Sequence, residues 1–313
     1  MMKSILGTMT FSDQVDAESS RIMLEKHQAS GNQEIDTANQ YNKGQTELLL
    51  GDLISAEQRS NFFIASKVHP WNEQGLKPDQ VKQQIETSLQ RLKTDYFDLL
   101  YLHSPDLETP IEQTLLACFD AFQKGQFRHF GLSNFAAWQV AEAVEICRSN
   151  GWMMPTVYQG MYNALTRDVE KELFSCLRHY EISFYAYNPL AGGLLTGKYL
   201  SAEKPPETGR FRESYQYRNR YWKADYQNVL EELATQTTHL NLKPVNIAMS
   251  WLIHHSQMDT AQGDAIILGA SRIEQLDENL AAMHSPALDA SILDILDRGW
   301  ELIKPNCFKY FRP

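Results

Sequence analysis

Nowhere in these 313 residues does an apolar run approach the roughly 20 residues that cross a bilayer. The four cysteines, Cys118, Cys147, Cys176 and Cys307, lie far apart and form no CxxC pair. That argues against a disulfide framework or a metal site and fits small apolar fillers on core faces in a reducing compartment. The opening MMKSILGTMTF lacks the longer apolar stretch and cleavage site of a secretory signal, so a cytoplasmic location is expected. Positive charge is scarce too: 29 Lys and Arg against 39 Asp and Glu leave a net charge of −10. Nucleic acid and anionic membrane are therefore poor candidates for the main partner. No HxxxH or HxH spacing occurs, and the adjacent His254 and His255 cannot share one helix face, which argues against a metal lyase or hydrolase.

What is present is alternation. Short β-branched or aromatic runs stand at Ser4–Leu6, Ile35–Thr37, Phe62–Lys67, Tyr96–Leu102, Phe130–Ser133, Thr156–Gln159, Ser183–Asn188 and Ala265–Gly269. Amphipathic runs separate them, with Val81, Ile85, Leu89 and Leu92 on one stripe and Val140, Val144 and Cys147 on another. Asp16, Pro110 and Asp168 mark helix starts. Eight strands alternating with helices, with no linker, predict one (β/α)8 TIM barrel domain over residues 1–313. A doubly wound sheet would carry GxGxxG after its first strand, and LGTMTF does not. Leu288–Leu302 reads as an extra C-terminal helix packing near the barrel bottom.

Four residues stand at the ends of successive strands: Asp36 and Tyr41 in EIDTANQY, Lys67 in FFIASK and His103 in FDLLYLH. In a barrel these ends meet at the mouth where the chemistry is kept. A lysine about 4 Å from a phenol stabilises phenolate by up to roughly 4 kcal/mol and lowers its pKa, which makes a proton donor. Asp36 would balance the lysine, and His103 would orient a carbonyl oxygen. An ordinary ion pair beside a packing tyrosine would account for any one of them taken singly.

These segments resemble those of the aldo-keto reductases over nearly the whole chain. EIDTANQY, ASKV and LLYLHSPD are similar to that family's catalytic segments, and Asp36, Tyr41, Lys67 and His103 match its tetrad. Within the family, YRNRYWK, GDAIILGAS and the terminal YFRP most resemble the aflatoxin aldehyde reductase branch. The resemblance implies an NADPH-dependent aldehyde and dicarbonyl reductase, a homodimer, and a barrel whose usual N-terminal hairpin is shortened or absent here. It implies that Ser133, Asn134 and Gln159 hold the carboxamide and that the nicotinamide stacks on Tyr187. Asn188, Leu190, Gly192 and Lys198 would take the pyrophosphate. Gly192, Gly197 and Lys198 also satisfy GxxxxGK, but Tyr199 stands where a nucleotide hydrolase needs Ser or Thr. Ser271 and Arg272 open a helix and suit the 2′-phosphate of NADPH, with Gln275, Glu278 and Asn279 as adenosine contacts.

The long loop after strand 7, TGRFRESYQYRNRYWK, and the tail are expected to shape the substrate pocket. Arg218 and Arg312 are the candidate anchors for a carboxylate-bearing aldehyde such as succinic semialdehyde, Trp71 and Trp222 the apolar walls, and Gln40 a polar intrusion. The same arginines could instead brace the loop or serve cofactor phosphates. SRIEQLDEN also resembles potassium-channel β-subunits, so a cofactor-binding regulatory subunit is the rival reading.

Overall fold

The computed structural model describes residues 2–199, 210–240 and 242–312. Thr208, Gly209 and Pro313 of the segments singled out above lie outside the described residues. Eight parallel strands close into a barrel in chain order: β1 Lys3–Gly7, β2 Glu34–Asp36, β3 Phe63–Val68, β4 Phe97–Leu102, β5 Phe127–Ser133, β6 Val157–Met161, β7 Ser183–Tyr187 and β8 Ala265–Gly269. Around it lie α1 Ala17–Ala29, α2 Gln45–Leu53, α3 Pro78–Leu92, α4 Ile111–Gln123, α5 Ala137–Asn150 and α6 Leu173–His179. After β7 come α7 Arg210–Glu213, α8 Tyr215–Tyr221, α9 Ala224–Leu240 and α10 Pro244–His254, and after β8 come α11 Ile273–Ala282 and α12 Ala290–Ile303.

Parallel strands are covered on both faces, so their sequences are near-continuous apolar runs, and every residue of β4 is buried. One inner cluster fills the barrel with Ile5, Ala65, Leu99, Tyr101, Val157, Tyr185, Ala265 and Ile267. A larger shell lies between strands and helices and takes the stripe Val81, Ile85, Leu89 and Leu92 of α3. Gly131 lets the inner cluster close: a Cβ there would lie 2.6 Å from the Tyr101 ring. Asp16 caps α1 by accepting the Ser19 N–H at 2.8 Å.

The structure adjusts several sequence expectations. Strand β5 starts at Phe127, ahead of the expected Phe130, because the main-chain ladder Phe97↔Phe127 continues past the exposed Arg128 and His129. Asp168 opens a 3-10 turn, not an α-helix, and spends its carboxylate on Lys171 and the Tyr310 N–H. The described part of the arginine loop is helical, in α7 and α8. Helix α12 packs on α9, with Gly299 against Val229, and ties Asp297 to Arg167 beyond β6, so it does not cap the barrel bottom. Among the described residues β1 is the first element.

Candidate active site

The strand register explains why the four residues meet. Asp36 pairs with Ala65, Lys67 with Tyr101, and His103 follows two residues after Tyr101. Side chains two apart share a face, so Asp36, Lys67 and His103 all turn toward the barrel axis. Lys67 Nζ donates to Asp36 Oδ1 at 2.6 Å, to the Thr37 carbonyl at 2.7 Å and to Tyr41 Oη at 3.3 Å. The other carboxylate oxygen, Asp36 Oδ2, accepts from Gln159 Nε2 at 2.6 Å. The His103 ring stands edge-on to Tyr41 with centroids 6.0 Å apart, and its Nδ1 has no partner among the described residues.

Tyr41 is delivered by a strained turn. Asn42 and Lys43 hold φ of 48° and 57°, and Gly44 follows at 88°. A left-handed non-glycine residue costs on the order of 1–3 kcal/mol, so this turn needs support from its surroundings. Asn42 Nδ2 gives part of it, donating to the carbonyl of Phe11 at 2.7 Å.

Burial governs the electrostatics. The Tyr41 phenol is held well above its usual pKa by burial first and by the Asp36 carboxylate second. The sequence expectation was a lowered value. The ammonium of Lys67 is already matched by Asp36 and the Thr37 carbonyl, so its field does not outweigh the loss of water. Lys67 itself is lowered by burial, against Asp36 and Glu47, which raise it. His103 is pushed well below its usual value by burial and then by Lys67, so its imidazole is neutral at neutral pH. The arrangement is a protonated phenol beside a cation and a neutral imidazole, which suits proton donation to a carbonyl oxygen.

The mouth residues assemble around it. Asn134 Nδ2 donates to the His103 carbonyl at 2.8 Å and to Ser133 Oγ at 3.0 Å, while its Oδ1 accepts from Tyr187 Oη at 2.8 Å. Trp71 lies 4.8 Å from the His103 ring, and the Arg312 guanidinium sits 4.5 Å over Trp71. Arg312 is carried there by its own N–H, which donates to the Asn134 carbonyl at 3.0 Å. Arg220 is a second cation at the mouth. Its guanidinium lies 5.6 Å over Tyr217 and 4.7 Å over Phe308, and it influences the Tyr187 phenol together with Arg312. Neither Arg220 nor Arg312 forms an ion pair among the described residues. Trp222 packs with Tyr199 and Phe211 instead of joining Trp71, and Gln40 is half-buried directly before Tyr41.

A nicotinamide dinucleotide fits the donors left over. Asn188 Nδ2 and Arg220 Nε are buried with no partner among the described residues. Asn188, Ala191, Gly192 and Gly193 all have positive φ, and the Ala191 and Gly193 N–H groups close the turn by donating to the Asn188 and Leu190 carbonyls. Leu190 and the exposed Lys198 flank it. Near β8, Arg272 is exposed at the start of α11, and Ser271 donates through its N–H and Oγ to Gln275. Asn279 is buried and holds the Gly269 carbonyl at 3.2 Å, while Glu278 faces Lys243. The sequence did not reveal the Gln159–Asp36 contact, nor Arg220 as the partner of Arg312. A run of four arginines gives no helical phase from which to choose among them.

Comparison with known proteins settles the family. The family model described as Aldo/keto reductase family matches residues 4–301. The chain belongs to the aldo/keto reductase family. It is 47% identical over 320 residues to aflatoxin B1 aldehyde reductase member 2 of Homo sapiens, covering 99% of this chain and 89% of that protein. To aldo-keto reductase family 7 member A3 of Homo sapiens it is 46% identical, with 99% and 97% covered. Aldo-keto reductase pigE of Monascus ruber is 33% identical, with 92% and 89% covered. The protein is an oxidoreductase. Among the described residues no helix is long and apolar enough to cross a membrane.

Proposed function

We propose that this aldo/keto reductase reduces aldehydes and dicarbonyls to alcohols with NADPH, with Tyr41 as the general acid. The observation that carries this reading is the contact of Lys67 Nζ with both Asp36 Oδ1 and Tyr41 Oη, at 2.6 and 3.3 Å. The cofactor, when bound, supplies a hydride to the carbonyl carbon. Tyr41 passes its hydroxyl proton to the carbonyl oxygen as negative charge develops there. The phenolate left behind is stabilised by the Lys67 ammonium 3.3 Å away, an attraction partly offset by the Asp36 carboxylate that pairs with the same ammonium. Asp36 keeps Lys67 charged and fixed. His103, neutral and aimed at the mouth, hydrogen-bonds the substrate oxygen and sets its direction. Tyr187 offers a stacking face, and Ser133 and Asn134 offer carboxamide partners. Gln159 holds Asp36, which adds to the carboxamide role its sequence position implies.

The relatives named as aldehyde reductases support the substrate class. Arg220 and Arg312, cationic and without carboxylate partners, favour an aldehyde that carries its own carboxylate, of which succinic semialdehyde is an example. The test is NADPH oxidation over a panel of aldehydes, dicarbonyls and ketones, with Tyr41→Phe alongside. Loss of the hydroxyl should lower kcat by about 10²-fold or more while NADPH still binds. Full turnover in Tyr41→Phe would remove this tyrosine as the acid.

A further inference from the structure

Behind the turn that carries Tyr41, between β3 and helices α2 and α3, lies a charged network that the reaction itself does not touch. Glu47 of α2 is fully buried. Its Oε1 accepts from Ser66 Oγ at 2.7 Å, and its Oε2 accepts from Ser88 Oγ at 3.0 Å and from Arg91 Nη1 at 3.2 Å. Ser66 is the residue before Lys67 on β3, and Ser88 and Arg91 lie on α3. From those partners the network runs back to the turn that carries Tyr41. Arg91 Nη1 also donates to the Asn39 carbonyl at 2.9 Å, and Asn39 Nδ2 donates to Ser88 Oγ at 2.8 Å. The Asn39 N–H donates to the Lys67 carbonyl at 3.1 Å. Gly44 closes the turn against the Arg91 guanidinium, where a Cβ would lie 2.3 Å from Cζ.

We infer that Glu47, with Arg91 and Ser88, is a positioning element that fixes the distance between Tyr41 and Lys67. This rests on the assignment of Tyr41 as proton donor. The argument is one of connection and cost. Tyr41 enters a turn with two left-handed non-glycine residues, and Lys67 is a buried ammonium on the next strand. Either would relax without an outside constraint. A buried carboxylate is expensive to keep, and burial does raise the Glu47 pKa against the three groups that hydrogen-bond it. A core that needed only packing at this place would be served by an apolar side chain. Instead one anion binds a donor next to Lys67 and two donors that grip Asn39, two residues before Tyr41. It also adds negative charge that favours the Lys67 ammonium.

The test compares Glu47→Gln, Arg91→Met, their double variant and Ser88→Ala in the full-length protein. Each is measured for kcat, for KM of NADPH and aldehyde, and for the primary isotope effect with NADPH deuterated at the transferred position. Glu47→Gln is expected to lower kcat about 10²-fold, since a displacement of about 1 Å at reacting atoms has that effect. The KM for NADPH should stay within about twofold, and the isotope effect should rise as hydride transfer becomes limiting. The double variant should be little worse than the weaker single one, as for groups that act as a unit. A folded Glu47→Gln protein with parental kcat, or with a loss confined to KM, overturns the inference. If Glu47→Gln does not fold, Ser88→Ala decides, because it removes only the hydroxyl shared by Glu47 and Asn39. A several-fold fall in kcat supports the inference and an unchanged kcat overturns it. Tyr41→Phe separates the two readings. If it is fully active, the proposed acid fails whatever Glu47 does; if it is inactive while Glu47→Gln is normal, only the positioning role fails.

Discussion

As the proposed acid, Tyr41 would meet two opposed demands: staying protonated until the carbonyl arrives, and then releasing its proton. Burial serves the first, and the ammonium 3.3 Å away serves the second. At the same scale, the mouth cations divide by environment. Arg220 and Arg312 have stacked guanidinium groups and no carboxylate partner among the described residues, whereas Arg272 stands exposed at the start of α11. Arg220→Ala and Arg312→Ala should each raise KM for a carboxylate-bearing aldehyde about tenfold or more, with a neutral aldehyde of equal length nearly unaffected. Arg218→Ala should do neither, and steady-state kinetics on the two substrates separates the cases. For the cofactor, Arg272→Ala should raise KM for NADPH by about tenfold and leave that for NADH within twofold. An equal effect on both would place the 2′-phosphate elsewhere.

Whole elements carry these side chains to the mouth, and the C-terminal tail shows how. The Tyr310 hydroxyl donates to Glu172 Oε1 at 2.7 Å and accepts from the Ala137 N–H at 3.0 Å, and its own N–H reaches Asp168. That fastening presents Arg312 to Trp71. Tyr310→Phe leaves a buried amide at Ala137 unpaired, a loss of about 1–3 kcal/mol in stability by denaturant titration. It should also raise KM for the carboxylate-bearing aldehyde while kcat on a neutral one holds. The eight strands were legible because each is an apolar run bounded by polar residues, and the α3 stripe because its period is helical. Helices α7 and α8 were not. Their residues are arginines and aromatics with no apolar stripe, and tertiary contacts such as those of Tyr217 and Tyr221 supply the missing order.

At the scale of the molecule, the end of the barrel opposite the site holds two buried titrating groups with opposite signs. Burial raises Glu34 from 4.5 to about 7, with Lys3 opposing, and burial lowers His27 from 6.5 to about 4. Between about 4.5 and 7 the folded protein holds the Glu34 proton more tightly than the unfolded chain, so that group's contribution to stability falls as pH rises. Between about 4 and 6.5 the unfolded chain takes up the histidine proton more readily, so that contribution rises with pH. The two nearly cancel where they overlap. Relative to the parent, Glu34→Gln should gain stability with rising pH, and His27→Gln should lose it. Thermal unfolding at pH 4.5, 5.5 and 6.5 reads both slopes, and slopes of the same sign would contradict the assignment.

The sequence by itself determined the barrel and the identity of the four residues at its mouth. Both follow from local pattern: strand-length apolar runs, helical stripes, and polar residues at the points where one gives way to the other. Tertiary structure alone decided which groups touch. Gln159 reaches Asp36 across 123 residues of chain, and Arg91 reaches Asn39 across 52. Only it decided that Arg220 stands near Tyr187 together with Arg312, and that burial governs the Tyr41 phenol. Distance and desolvation arise when the sheet closes, and no spacing along the chain contains either.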